Sequence, residues 1–343
     1  MPGTTNPHDA FFKAIFHSPD AAGAALRRIL PRELSDAVDW SGLSLLSGEY
    51  VDGALGGSRG DLVFEAPLGG TTAVICFLME HQSRPEHWMV LRALGYALQF
   101  WQRRRRMSPE QRGLPLVLPV VLYNGARPWS APTALEELLD LPDALAEVLS
   151  DHVPRFRLVL DDLSRADDAD IEDSTRFALA TLGLLLLKNA PHAGDWAPML
   201  DRLTPHLLAV ARRADGVEVL QQALVYSYRV SDLPPGAIES RLVGRVPPDV
   251  EESIMTTAER LHAEGREEGL EAGREAGLEA GHLERTRLIL AQLLSLKLGP
   301  LPAHVQSALQ RGTQAELDAW MDHFMVADSI TLADVDAHIR PAD

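Results

Sequence analysis

The sequence predicts an α/β fold, a mixed sheet flanked by helices and followed by a mainly helical remainder. Three observations carry this. Residues 72–79 (TAVICFLM) and 114–123 (LPLVLPVVLY) are continuous apolar runs, too short to span a membrane and rich enough in β-formers to be buried strands. Between them Pro85–Arg106 has helical spacing, so strand, helix and strand, with both strands apolar throughout, imply a parallel crossover buried on both faces. Beyond residue 131 the apolar residues recur mostly at helical intervals.

Taken in order, Asp9–Leu30 predicts a helix with the stripe Phe11, Phe12, Ile15 and Phe16, broken at Ser18-Pro19-Asp20 before a second short helix. Leu43–Val51 predicts a strand and Asp52–Arg59 a Gly-rich turn. A further strand begins at Asp61, and Gly69-Gly70 closes it as a hairpin onto the strand that ends at Glu80. In the long helix Trp88, Leu91, Leu94, Tyr96, Leu98 and Trp101 are spaced for packing on a sheet. Pro115 and Pro119 argue against full pairing of the strand at 114–123. After it come a helix at Leu135–Leu149, a strand at Phe156–Leu160 and an acidic loop from Asp161 to Asp173. A buried helix within Ser174–Asn189 and helices at Leu200–Arg212 and Val217–Val230 follow, with no recognisable chemistry.

The net charge of −17 over 343 residues is unevenly placed. Residues 1–130 hold 13 basic and 12 acidic residues, the remainder 19 and 37. DNA binding depends on local neutralisation of phosphates, so only the first part, with its basic run Arg103, Arg104, Arg105 and Arg106, suits that role. The same run also suits a helix C-terminus. The single cysteine, Cys76, excludes an internal disulfide and fits a reducing cytoplasm. The polar, Pro-containing start reads as no signal peptide, so a soluble intracellular protein with no membrane partner is expected.

A buried strand should not end in Glu80-His81-Gln82 unless those polar groups have partners. Antiparallel pairing sets Asp61, near the start of one strand, beside Glu80, near the end of the next. Two adjacent carboxylates repel, and a hard divalent cation relieves them. These residues resemble the active-site hairpin of the PD-(D/E)XK nuclease superfamily, with Glu-x-Gln in place of Glu-x-Lys. Within it the chain resembles the Rpn family of recombination-promoting nucleases, also called YhgA-like transposases. The matching pieces are His8-Asp9-Ala10-Phe11-Phe12-Lys13, Asp61, Glu80-His81-Gln82-Ser83, Met89–Arg92 with Tyr96 and Trp101, and Leu116–Trp129 (LVLPVVLYNGARPW).

The resemblance implies a restriction-endonuclease-like core followed by an α-helical extension and a helical C-terminal tail. It implies that Asp61, Glu80 and the backbone carbonyl of His81 hold a divalent metal, Mg²⁺ by preference with Mn²⁺ or Ca²⁺ as alternatives. Asp9 matches the acidic position of the first helix, although an Asp there also caps a helix. Gln82 replaces a Lys that would stabilise developing charge, and a neutral amide can only orient or hydrogen-bond. Arg92 and Gln99, two turns apart on one helix face, join the basic run as candidates for contact with double-stranded DNA.

After Pro247-Pro248, Gly265, Gly269, Gly273, Gly277 and Gly281 recur every fourth residue. Four residues overshoot a turn by about 40°, so the glycines form a slowly rotating stripe that would let a second helix approach closely. This predicts a homo-oligomer through the Gly265–Gly281 helix, the alternative being a linker. The expected organisation is a nuclease-like core at 1–130, a helical extension at 131–247, the glycine-repeat helix or linker at 248–285 and a small helical domain at 286–343. The function expected is a metal-dependent DNA endonuclease connected with recombination, mobile elements or phage defence. The alternative is an inactive nuclease-fold scaffold.

Overall fold

Pro7 opens the first helix, where its missing N–H has no partner to lose, and the Asn6 side chain accepts from the His8 backbone N–H. This helix, α1 (Pro7–Phe16), buries the predicted stripe of Phe11, Phe12, Ile15 and Phe16. The computed structural model describes residues 6–46, 62–80, 85–140, 142, 148–149, 151–326 and 330–339, with the backbone alone at 72–74 and 76–80. Two compact units divide the chain, Met1–Leu261 and His262–Asp343.

In the first unit α1 is followed by α2 (Pro19–Ile29) and α3 (Arg32–Ala37). A five-stranded sheet then forms in sequence order from β1 (Ser44–Leu45), β2 (Leu62–Leu68), β3 (Thr71–Glu80), β4 (Leu116–Tyr123) and β5 (Val159–Asp162). The first two pairings are antiparallel and the last two parallel. Gly69 and Gly70 close the β2–β3 hairpin with φ of +51° and +86°, the left-handed conformations that a two-residue turn of this kind requires. Of the strand predicted at Leu43–Val51 the described residues include only the start. The Gly-rich turn, Asp61, His81 and Gln82 lie outside them.

Pairing β3 with β4 in parallel requires a long crossover, and α4 (Met89–Met107) supplies it. Its packing face differs from the expected one. Met89, Val90, Ala93, Tyr96, Ala97 and Phe100 are buried, whereas Trp88, Leu91 and Leu98 are about half exposed. The small side chains of Ala93 and Ala97 let the helix lie close to the sheet, and spacing of large residues alone does not reveal them. Pro119 sits inside β4 with β3 beside it, but β5 pairs only from Val120 onward. One side of the strand is therefore open at the proline, where a missing N–H can be tolerated.

Alternation along the strands builds two cores. Leu62, Phe64, Ala66, Val120 and Leu122 join the larger one with α1 and α2. Val63, Val117, Val121 and Tyr123 join the smaller one with α4. The stretch predicted as an acidic loop is partly helical. α5 (Asp168–Thr175) forms because Asp167 caps it by accepting from Ala169 N–H, and acidic residues in a first turn complement the helix dipole. α6 (Ala178–Asn189), α7 (Trp196–Val210), α8 (Gly216–Val230) and α9 (Glu239–Leu242) follow. The larger core runs without a break from Phe11 to Ala258, so the helical extension and the sheet share it.

α10 (Pro248–Leu298) is a single helix of 51 residues that contains all five glycines of the repeat. The second unit also holds α11 (Ala303–Arg311), α12 (Gln314–Val326) and α13 (Leu332–Ile339), with a small core of Leu290, Leu294, Val305, Leu309, Leu317, Phe324, Ile330 and Val335. Among the described residues no helix is long and apolar enough to cross a membrane.

A Cβ at Gly183 of α6 would lie 2.5 Å from Ile15 Cγ2 of α1. Gly183→Ala is therefore expected to lower unfolding free energy by about 1–3 kcal/mol in chemical denaturation, although alanine is the better helix former. Burial works against the charge of Asp168, but bonds from Lys188 and Asn189 outweigh it and hold the carboxyl below its ordinary value. A carboxylate of this kind stabilises the fold above its unfolded pKa, and the benefit is lost as pH falls through the lower folded value. The stability difference between wild type and Asp168→Asn should thus be full at neutral pH and close below about pH 4.

Candidate active site at the strand ends

The parallel strands end together, and ligands of α/β proteins bind beyond such carboxyl ends. Glu80, the last residue of β3, is level with Tyr123, the last of β4, and Tyr123 is level with Asp162 of β5. The next residue, Asn124, is buried and cannot leave its amide unpaired. Its Nδ2 donates to the Leu187 carbonyl of α6 at 3.1 Å and lies 3.4 Å from His8 Nδ1 of α1. A carbonyl only accepts, so the Leu187 bond fixes the amide orientation. The Tyr226 hydroxyl of α8 is hydrogen-bonded to the same ring nitrogen of His8 at 2.9 Å.

Burial pushes the Tyr226 hydroxyl well above the ordinary tyrosine pKa, so it keeps its proton. Its ring is stacked on Phe11, centroids 4.3 Å apart. The N-terminal turn of α1 is thereby fastened to the end of β4, and Asp9, the neighbour of His8 and half-buried, is brought to that end of the sheet. Nearby carboxylates are already engaged. Asp161 is buried and paired with Arg28 of α2, and desolvation raises its pKa despite that cation. Asp162 accepts from the Trp129 N–H at 2.9 Å and from Ser164.

Of the residues singled out in the sequence, Asp9 lies in the first turn of α1 and Glu80 ends β3. Asp61, His81 and Gln82 lie outside the described residues. Among the described residues no group of three or more His, Cys, Asp or Glu side chains stands together as a metal site. Glu65, a spare carboxylate one strand over, is 4.0 Å from Arg104. Arg92 is paired with Glu86, Gln99, Arg105 and Arg106 are exposed, and Arg103 is half-buried. Tyr226, Asn124 and the Arg28–Asp161 pair were not legible as site residues. Their partners are up to 218 positions away, and nothing local marks them except the abrupt Tyr-Asn-Gly ending of β4.

Fold and site together define an α/β protein with a polar cluster at the carboxyl ends of its parallel strands. Residues 6–218 match the family described as "Putative transposase, YhgA-like", and the chain belongs to that family. It is similar to RpnD of Escherichia coli O157:H7, named a recombination-promoting nuclease, with 29% identity over 262 residues, 76% of this chain and 95% of the relative. RpnC of Escherichia coli K12, with the same description, is 28% identical over 180 residues, 52% of this chain and 58% of the relative. RpnE of the same strain, named an inactive recombination-promoting nuclease-like protein, is 28% identical over 268 residues, 78% of this chain and 85% of the relative. No solved structure matches the chain significantly.

Tyr226→Phe keeps the stack on Phe11 but removes one hydrogen bond with His8. Thermal or urea unfolding should show a loss of about 1 kcal/mol. An unchanged stability would mean that His8 does not depend on this hydroxyl.

Proposed function

We propose that the chain is a metal-dependent DNA endonuclease on a PD-(D/E)XK core. The observation that carries the reading is topological. An antiparallel hairpin is followed by a helical crossover to a parallel strand, with Glu80 at the end of the hairpin's second strand. The names of RpnD and RpnC supply the reaction class. In this reading Asp61, Glu80 and the His81 carbonyl hold Mg²⁺, or Mn²⁺ or Ca²⁺ in its place. Carboxylate and carbonyl oxygens are the hard donors that such cations take. When bound, the cation polarises the phosphodiester and makes water a better nucleophile.

The other roles fall to the protein's own groups. Gln82 orients the attacking water by hydrogen bonding, without the charge that Lys would bring. Asp9, fastened in place through its neighbour His8, adds a third carboxylate. Arg92, Arg103, Arg104, Arg105 and Arg106, with Gln99, meet the phosphates of double-stranded DNA, and for this Arg92 has to leave Glu86 and Arg104 has to leave Glu65. A second copy of the chain is the proposed partner of the Gly265–Gly281 stripe, where a Cβ at each glycine would meet nothing within 4 Å. A reducing cytoplasm suits the single cysteine.

A second reading, an inactive scaffold, has an observation of its own: the relative RpnE is named inactive. Plasmid cleavage with Mg²⁺, Mn²⁺ or Ca²⁺ separates the two. Nicking or linearisation by wild type, absent with chelator and lost to background in Asp61→Ala and Glu80→Ala, is the expected result. No cleavage by folded wild type in any metal, or cleavage that survives both substitutions, would favour the scaffold.

A further inference from the structure

A second recess lies away from the strand-end residues, between α2, the turn at Trp40 and the junction of α5 with α6. It measures about 230 Å³, and Arg27, Trp40, Thr175, Arg176 and Phe177 line it, with Asp20 among them. Three features set it apart from an ordinary crease. Thr175 is only 6% exposed, yet its hydroxyl has no hydrogen-bond partner among the described residues. Buried hydroxyls are normally paired, so an unpaired one in this wall is polar capacity that the described residues do not use, although its oxygen is covered and a ligand reaches it only after its neighbours shift. Arg176 has φ of +48°, the one non-glycine residue in the left-handed region among those described. Helices commonly end on glycine at such a position, and here a guanidinium stands there instead.

The third feature is the state of the cations. Arg27 lies over the Trp40 ring, 5.1 Å from its centroid, and pairs with no carboxylate among the described residues. Among the described residues the Arg176 side chain makes one hydrogen bond, from Nε to the Asp173 carbonyl at 3.0 Å. Asp20 does not neutralise them alone, because it also interacts with Arg213, itself bonded to Asp215 and stacked over Phe177. The recess therefore presents two guanidinium groups and the walls of two aromatic rings, with Thr175 in its lining. A guanidinium fork matches phosphate oxygens, and aromatic rings and guanidinium planes accept a nucleobase.

We propose that this recess binds a nucleotide through its phosphate, either as a free mononucleotide or as the terminal nucleotide of a strand. Its volume of about 230 Å³ lies below the roughly 300–1,000 Å³ of pockets that enclose drug-sized ligands, so it takes the phosphate and part of one nucleotide, leaves the rest outside, and excludes a duplex. The site uses none of the carboxylates assigned to cleavage, so it stands or falls independently of the nuclease reading.

The test is calorimetric titration of the full-length protein in EDTA, where metal-dependent cleavage is silent. Deoxyadenosine monophosphate and a 5′-phosphorylated single-stranded oligonucleotide are the two probes, with deoxyadenosine and inorganic phosphate as controls. At least one probe should bind, with deoxyadenosine weaker by about tenfold or more, and Arg27→Gln and Arg176→Gly should each weaken binding by a similar factor. Glycine adopts φ of +48° without strain, so Arg176→Gly should leave the unfolding midpoint unchanged or raised while binding falls. A purely structural role for Arg176 would not separate those two readouts. Preference for one probe identifies the source of the nucleotide. The proposal is overturned if neither probe binds, if phosphate alone binds as tightly as the nucleotide, or if both variants bind like wild type.

Discussion

Parallel pairing of β3 with β4 calls for helices on the faces of the sheet, and much of the first unit follows from that constraint. An antiparallel pair can close with two residues, as Gly69 and Gly70 do, but a parallel pair has to be joined by a crossover long enough to return to the same end of the sheet. That crossover carries α4, which covers one face. The other face needs its own cover, and no single amphipathic helix provides it. α1 and α2 begin the layer, and α6, buried on nearly every side, completes it from far along the chain. This is why the sheet and the helical extension have one core between them.

The strand ends are where that arrangement becomes chemically useful. Up to Tyr123 the β3–β4 ladder pairs the two strands along the whole of β4. Past Tyr123 the ladder stops, and the chain has to satisfy its polar groups with side chains. Asn124 does so by reaching α6 and α1 together, which ties three distant segments to one point. Fastening a helix by a buried polar contact fixes its axial position more sharply than apolar packing does, because the contact is directional. The first turn of α1, with Asp9 in it, is thus held at the same end of the sheet as Glu80.

How much of this was visible in the sequence depends on the range over which each signal acts. The hairpin announces itself through Gly69-Gly70, the crossover through two apolar runs, and α1 through Phe11, Phe12, Ile15 and Phe16. These are local periodicities, and they were legible. The true packing face of α4 was not, because it rests on Ala93 and Ala97, whose contribution is that they are small. α5 was hidden because a run of aspartates reads as solvated loop until Asp167 is seen to cap it. The His8–Tyr226 contact had no signal at all. A single polar residue in a distant helix carries no period, and its partner is chosen by the fold.

The acidic half of the chain shows how charge can be spent structurally. Asp167 and Asp195 cap helices, Asp168 anchors Lys188, and Asp161 holds Arg28 inside the core. Many of these carboxylates are therefore not a free negative field directed at DNA. The glycine stripe of α10 poses the opposite problem. Each helical glycine costs about 1 kcal/mol relative to alanine, so five cost roughly 5 kcal/mol in a helix that has few buried residues along that stretch to offset them. Among the described residues nothing lies within 4 Å of a Cβ placed at any of them. A helix so penalised is best explained if the stripe is covered by a second backbone at close range, and glycine is the residue that allows such an approach. Leu270 and Leu278, at 76% and 67% exposure, flank the stripe and would gain the burial they lack. In the proposed homo-oligomer, the stretch of helix that glycine penalises is the one a second copy would cover.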